Sequence, residues 1–172
     1  EVSAQMELTI DPADILIRRL MPRTPYVTLQ QAADTTRCIH IAYVAEGYTA
    51  EQLPTFLDDC REAMEALFQH EPFRSLRDRF NIVAVLSPSK DTDVSQPGKG
   101  IWLSTALDSH FDTFYSTRYL TTLHLKQLHD VLACTPYEHI IILANTAHYG
   151  GGGIYNSYTL TTAHHPQFKP VV

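Results

Sequence analysis

Four consecutive glycines at positions 150–153 constrain this chain more than any other segment. The run before them, 140–144, is apolar throughout, and the run after them, 154–162, alternates between apolar and polar residues. Glycines between strands indicate a backbone that approaches another group closely or adopts positive φ. A phosphate-binding glycine loop leads from a strand into a helix, whereas this one leads into another strand. The glycines therefore predict a close backbone approach rather than phosphate binding.

Strand-like and helix-like segments alternate along the rest of the chain. The pattern predicts four strands, at 39–45, 80–86, 140–144 and 154–162. Apolar residues at helical spacing predict a helix that starts at a Thr49/Gln52 capping box or, because of Pro54, near Leu53. A second helix is predicted from Thr121 or Thr122 to about residue 132. This order predicts an α/β fold whose mainly parallel sheet has two crossover helices and an antiparallel edge strand, 154–162.

The first 36 residues do not follow this pattern. Residues 6–10 alternate like a strand, but prolines interrupt the segment that follows. We interpret residues 1–36 as the tail of a preceding domain and a linker, and residues 37–172 as the regular domain.

Composition excludes several function classes. The chain carries 19 acidic and 13 basic residues, a net charge of −6, which disfavours a nucleic-acid partner. No apolar run reaches the roughly 18–20 residues that a membrane span requires. The three cysteines, Cys38, Cys60 and Cys134, are interpreted as free thiols that act as small apolar side chains, with no base predicted beside them. The chain begins at Glu1 rather than Met, so it is compatible with a removed leader.

Nine histidines make a metal site worth seeking. His70-Glu71 resembles the start of a His-Glu-x-x-His motif, but Arg74 replaces the second histidine and Pro72 interrupts the helix. The other histidines lack ligand spacing on one element. The sequence therefore predicts no metal ligand and assigns no catalytic residue within these 172 positions.

Several segments, taken together and in order, resemble the IgA-peptidase family of zinc metallopeptidases. The resemblance extends from Cys38 to Val172 and is carried by residues 41–49, 71–81, 118–122 and 145–156. It implies the front part of a zincin-like catalytic domain, with the chain ending just before the helix that carries the zinc motif. Zinc would thus be bound in the complete enzyme, by residues outside this sequence.

The resemblance also implies a role for the glycine segment. Zincin-like folds place an edge strand along the active-site cleft, and extended substrates pair with it. The implied substrate-binding residues are Gly151, Gly152, Gly153, Tyr155 and Asn156. A simple flexible turn at the glycines is the alternative.

Glu46 and Tyr48, at the carboxyl end of the first predicted strand, are secondary candidates because clefts in α/β folds form at that edge. A purely structural role is equally compatible with their position.

The function implied is hydrolysis of peptide bonds in protein substrates, with immunoglobulin-like proteins as one candidate class. The implied partners are a peptide or protein substrate and the remaining part of the catalytic domain, and the implied location is secreted or periplasmic. The alternative is a non-catalytic α/β module that binds an extended peptide or partner chain.

Overall fold

A computed structural model describes residues 4–11, 13–14 and 24–166. Within these residues the chain forms six strands and two α-helices. Their order is β1 (Tyr26–Gln30), β2 (Ile39–Glu46), α1 (Leu53–Leu67), β3 (Phe80–Val85), α2 (Leu125–Val131), β4 (His139–Ala144), β5 (Gly151–Ile154) and β6 (Tyr158–Thr162).

All six strands belong to one sheet, in the order β1-β3-β2-β4-β6-β5. The four central strands are parallel, and β1 and β5 pair antiparallel at the two edges. α1 connects β2 to β3, and α2 lies in the connection from β3 to β4. The predicted α/β class, the mainly parallel sheet and the two crossover helices are confirmed.

The two faces of the sheet are buried by different parts of the chain. α1 covers one face with an apolar side that includes Phe56, Cys60 and Met64, packed against Tyr43 and Ile82. On the other face, Leu128 and Leu132 pack with a long connection between β3 and α2 that contributes apolar residues such as Leu107 and Leu120. Burial on both faces explains why the central strands are nearly continuous apolar runs.

The start of α1 agrees with the predicted capping signal. The backbone N–H of Thr49 donates to Gln52 Oε1 over 3.0 Å, and a short 3-10 turn leads into the helix at Leu53. Pro54 therefore lies in the first turn, where its missing N–H costs nothing. α2 begins later than predicted, because Thr122 and the two residues after it are not helical.

The predicted fourth strand is wrong in its bounds and direction. Residues 154–162 are broken by a turn in which Asn156 has φ of +55°, and Ser157 N donates to Ile154 O. The second half becomes β6, which is parallel to β4 and lies inside the sheet. The antiparallel edge strand is instead β5, built mainly from the glycines.

The amino-terminal residues differ from expectation in two ways. Residues 6–10 form no strand, and Met6 and Leu8 are exposed. β1, which was not predicted, pairs with β3 although it lies inside the segment interpreted as tail and linker. Among the described residues the sheet thus begins at Tyr26, and the domain boundary near residue 36 stays a prediction.

The described residues also bear on the question of a membrane span. No helix among them is long and apolar enough to cross a bilayer.

Candidate functional site

Glu46 ends β2 at the carboxyl edge of the parallel strands and is completely buried. Its Oε1 accepts hydrogen bonds from Thr105 Oγ1 (2.7 Å) and Ser109 N (2.8 Å), and its Oε2 accepts one from Leu107 N (2.8 Å). Burial raises the pKa of this carboxyl, and the three donors oppose that rise. Glu46 therefore fixes the long β3–α2 connection to the end of β2, which is a structural role.

Tyr48 belongs to a second polar group at the same edge. Its buried hydroxyl donates to Asp59 Oδ2 over 2.7 Å, and His164 Nε2 lies 2.9 Å from the same oxygen. Burial, followed by the charge of Asp59, raises the pKa of Tyr48 far above its usual range. Asp59 thereby joins α1 to His164, the second residue after the end of β6.

Neither Asp59 nor His164 was singled out in the sequence. The available signal was a carboxylate on the apolar side of α1, three residues after Phe56 and next to Cys60. A buried carboxylate requires a partner, but the chain gives no indication that the partner lies 105 positions away.

The glycine strand β5 is held closely by its own chain. Gly151 N donates to Arg118 O over 3.1 Å, and Leu120 N donates to Gly151 O over 3.3 Å. A Cβ on Gly150 would lie 2.4 Å from Phe111 Cε1, and one on Gly152 would lie 2.8 Å from Leu120 O. The close approach that the sequence predicted is present, and the approaching atoms at Gly150 to Gly152 belong to residues 111–121 and the neighbouring strand.

Gly153 differs from the three glycines before it. Since the N–H and C=O of Gly151 point away from β6, alternation along the strand directs those of Gly153 away from β6 as well. A Cβ at Gly153 would meet no atom within 4 Å. Its backbone polar groups therefore point away from β6, to the outer side of β5, and no backbone hydrogen bond to them on that side is found within the part of the chain that the structure describes.

A groove of about 940 Å³ extends from Gly153 across the face of the sheet that α1 packs against, to the amino ends of β2, β3 and β4. Of the five residues implied to bind substrate, Gly153, Tyr155 and Asn156 line it, whereas Gly151 and Gly152 do not. Tyr155 is 93% exposed at the tip of the β5–β6 turn. The rest of the lining is mainly apolar and comes from the amino ends of β2, β3 and β4, from the end of α1 and from the segment after it, namely Ile39, Ile41, Leu67, Phe73, Phe80 and Ile141. Glu138 and His139 also line the groove there.

Comparison with known protein families identifies the family of this chain. A family model described as IgA Peptidase M64 matches residues 27–170, which is most of the sequence. The chain belongs to the IgA peptidase M64 family. A comparison with curated proteins found no match.

The M64 family is a family of metallopeptidases. The matched residues begin at position 27, inside β1. The described residues do not fit a metal site on their own. Among residues 4–11, 13–14 and 24–166, no group of three or more His, Cys, Asp or Glu side chains could hold an ion. No step of a reaction is therefore assigned to a metal bound by these residues.

Two alanine substitutions in the M64 glycine segment should have opposite outcomes. Gly150→Ala should lower the free energy of unfolding by about 1–3 kcal/mol, because its Cβ would overlap Phe111 and Arg118 O. Gly153→Ala should change it by less than about 0.5 kcal/mol, because that position is open. Urea denaturation followed by circular dichroism measures both, and equal effects at the two positions would contradict the packing described for β5.

Proposed function

We propose that this chain forms the sheet and the substrate-binding edge of a zinc-dependent metallopeptidase that hydrolyses peptide bonds in protein substrates. The observation that carries the proposal is the backbone of Gly153, which points to the outer side of β5 next to a groove, in a chain of the M64 family. Immunoglobulins are one candidate substrate class. Such substrates are extracellular, so we place the enzyme outside the cytoplasm, secreted or periplasmic.

In this proposal, an extended substrate adds a strand to the outer side of β5. Its main chain pairs with the N–H and C=O of Gly153, the polar groups of β5 that point to the open edge. Tyr155 and Asn156 follow directly and offer an exposed ring and an amide to substrate side chains. Gly151 and Gly152 would act indirectly, since their close packing against residues 118–121 sets the position of the strand.

The apolar wall of the groove suggests a second occupant. Ile41, Phe73, Phe80 and Ile141 line the groove on the same face of the sheet that α1 packs against, next to the carboxyl end of that helix. We propose that the remaining part of the catalytic domain packs against this wall and that zinc is bound there by residues outside the present sequence. Bound zinc would polarise the scissile carbonyl and lower the pKa of a water molecule.

A matched pair of variants at Gly153 tests the edge. Gly153→Pro removes the N–H that faces the edge, whereas Gly153→Ala keeps it, and an edge strand tolerates both. In the full-length protein, Gly153→Pro should lower kcat/KM for casein about two- to tenfold, the effect of losing about one main-chain hydrogen bond, while Gly153→Ala stays near wild type.

Two other results of this test would contradict the proposal in different ways. Equal activity of the two variants would reject β5 as the substrate edge. Binding of casein without turnover by the wild-type protein would reject the peptidase and support the alternative, a non-catalytic module that captures an extended chain.

A further inference from the structure

A second, smaller pocket of about 290 Å³ lies on the long β3–α2 connection. Its lining comes from two turns of that connection and from His148 and Tyr149, the residues that precede the glycines. Among the described residues, none lines both this pocket and the groove next to Gly153. The pocket therefore lies outside the proposed substrate edge, and its volume suits a ligand smaller than a drug-sized molecule.

Gln96 is the most buried polar residue of the pocket lining, with 7% of its surface exposed. Its backbone is fixed by the turn, because Gln96 N donates to Ile101 O over 2.9 Å and Ile101 N donates to Gln96 O over 3.2 Å. The side-chain amide, in contrast, makes no hydrogen bond to any residue that the structure describes. A buried amide without a partner costs free energy, and a ligand in the pocket would remove that cost.

Two opposite charges line the pocket together with Gln96. Lys99 lies in the same turn, and Asp112 lies beside it, where Asp112 Oδ2 accepts a hydrogen bond from Gly98 N over 2.8 Å. Neither charged group forms an ion pair with the other or with any other residue in the described part of the chain. The pocket thus holds a cation and a carboxylate that are both available to a ligand.

The remaining surface of the pocket is aromatic. Phe111 is buried, and its ring packs edge-on against His148, with the ring centroids 6.2 Å apart. Tyr149 lines the pocket beside them and is half exposed. An apolar group of a ligand would therefore contact aromatic rings while its polar groups meet the amide and the two charges.

We propose that this pocket binds a small zwitterion, either an α-amino acid with an apolar side chain or a dipeptide. The ligand carboxylate accepts from Lys99 Nζ and Gln96 Nε2, its ammonium group donates to Asp112, and its side chain packs on Phe111. A dianion would bring its second charge to Asp112, and a diamine would bring one to Lys99. This binding does not require the proposed peptidase activity.

Isothermal titration calorimetry of the full-length protein with L-phenylalanine tests the proposal. Binding should be saturable and at least about tenfold tighter than that of N-acetyl-L-phenylalanine, which lacks the ammonium group, or L-phenylalaninamide, which lacks the carboxylate. L-alanyl-L-phenylalanine distinguishes the two sources of the zwitterion. Tighter binding than L-phenylalanine would identify the dipeptide, and weaker binding would identify the free amino acid.

Gln96→Met separates ligand binding from a structural role, because it keeps an unbranched side chain and removes the amide. It should weaken L-phenylalanine binding about threefold or more, yet leave the free energy of unfolding in urea unchanged or raised, since no internal hydrogen bond is lost.

A charge-matched pair of variants tests the carboxylate contact independently of Gln96. Lys99→Met should weaken L-phenylalanine binding about tenfold, whereas Lys90→Met, at an exposed position outside the pocket lining, should leave it unchanged. Asp112→Asn keeps an oxygen for Gly98 N–H and should abolish the preference for L-phenylalanine over its N-acetyl form.

Three results would overturn the proposal. The first is the absence of saturable binding by the wild-type protein up to about 10 mM L-phenylalanine or dipeptide. The second is equal binding of the two blocked analogues, and the third is equal binding by Lys99→Met and Lys90→Met. A loss of stability in Gln96→Met would likewise reject Gln96 as a ligand-binding residue.

Discussion

Turnover of casein by the full-length protein should stop completely on treatment with 1,10-phenanthroline and return when zinc is added to the dialysed protein. The expectation follows from membership of the M64 metallopeptidase family and from the proposal that zinc is the resident metal. Removing a catalytic metal takes away its entire contribution to the rate, so the loss should reach the detection limit.

The controls separate metal loss from other effects of the reagent. The non-chelating isomer 1,7-phenanthroline should leave turnover unchanged, and circular dichroism should show that the sheet remains folded. Full activity in the presence of the chelator would refute zinc dependence. Restoration by another divalent ion but not by zinc would keep the metallopeptidase and reject zinc as its metal.

Replacing Glu46 by Gln should destabilise the folded chain by about 2–4 kcal/mol, the largest stability effect expected from a single substitution here. The carboxylate accepts from Thr105, Ser109 and Leu107, and an amide of the same shape would turn an N–H₂ group toward at least one of these donors. The new contact loses one hydrogen bond and leaves two buried donors facing each other. Urea unfolding followed by circular dichroism measures the change.

The difference between wild type and Glu46→Gln should also depend on pH. Burial raises the pKa of Glu46 above its ordinary value of 4.5, so the folded chain holds this proton to higher pH than the unfolded chain. Below pH 4.5 the raised pKa of Glu46 makes its full contribution to the free energy of unfolding of the wild type. As the pH rises through the interval above 4.5 the unfolded state ionises first, so the wild type loses stability relative to the variant, which does not titrate there.

A matched exchange at an exposed position serves as the control. Glu51→Gln makes the same change of atoms on a solvent-exposed side chain and should alter stability by less than about 0.5 kcal/mol. If Glu46→Gln were equally mild, the carboxylate would not be holding the β3–α2 connection. A wild-type advantage that grows as pH rises would contradict the raised pKa.

The parts of the fold that the sequence predicted are those governed by local patterns. The central strands are apolar on both faces because both faces are covered, and α1 shows its buried side at helical spacing. The start of α1 at Leu53 was readable from Thr49, Gln52 and Pro54. Family membership also followed from ordered segments of the chain and agrees with the match over residues 27–170.

The edge strands of the sheet could not be predicted from local patterns, because whether such a segment forms a strand depends on the neighbouring segments that pair with it. β1 has no continuous apolar run and is a strand because it pairs with β3. β5 contains three glycines, which have low strand propensity, and it forms because β6 on one side and residues 118–120 on the other hold its backbone. The assignment of residues 151, 152, 153, 155 and 156 to substrate binding stays a proposal, supported at Gly153, Tyr155 and Asn156 by their position beside the groove.

By itself, the sequence determined the alternation of elements, the buried central strands, the requirement for a close backbone approach at the glycines and the peptidase family. Only the tertiary structure decided which chemical groups meet. Asp59 reaches His164 across 105 positions, Glu46 reaches Thr105 across 59, and Cys38 meets Asn81 across 43. Hydrophobic periodicity specifies which side of an element is buried, but it carries no information about which distant polar group will satisfy a buried donor or acceptor.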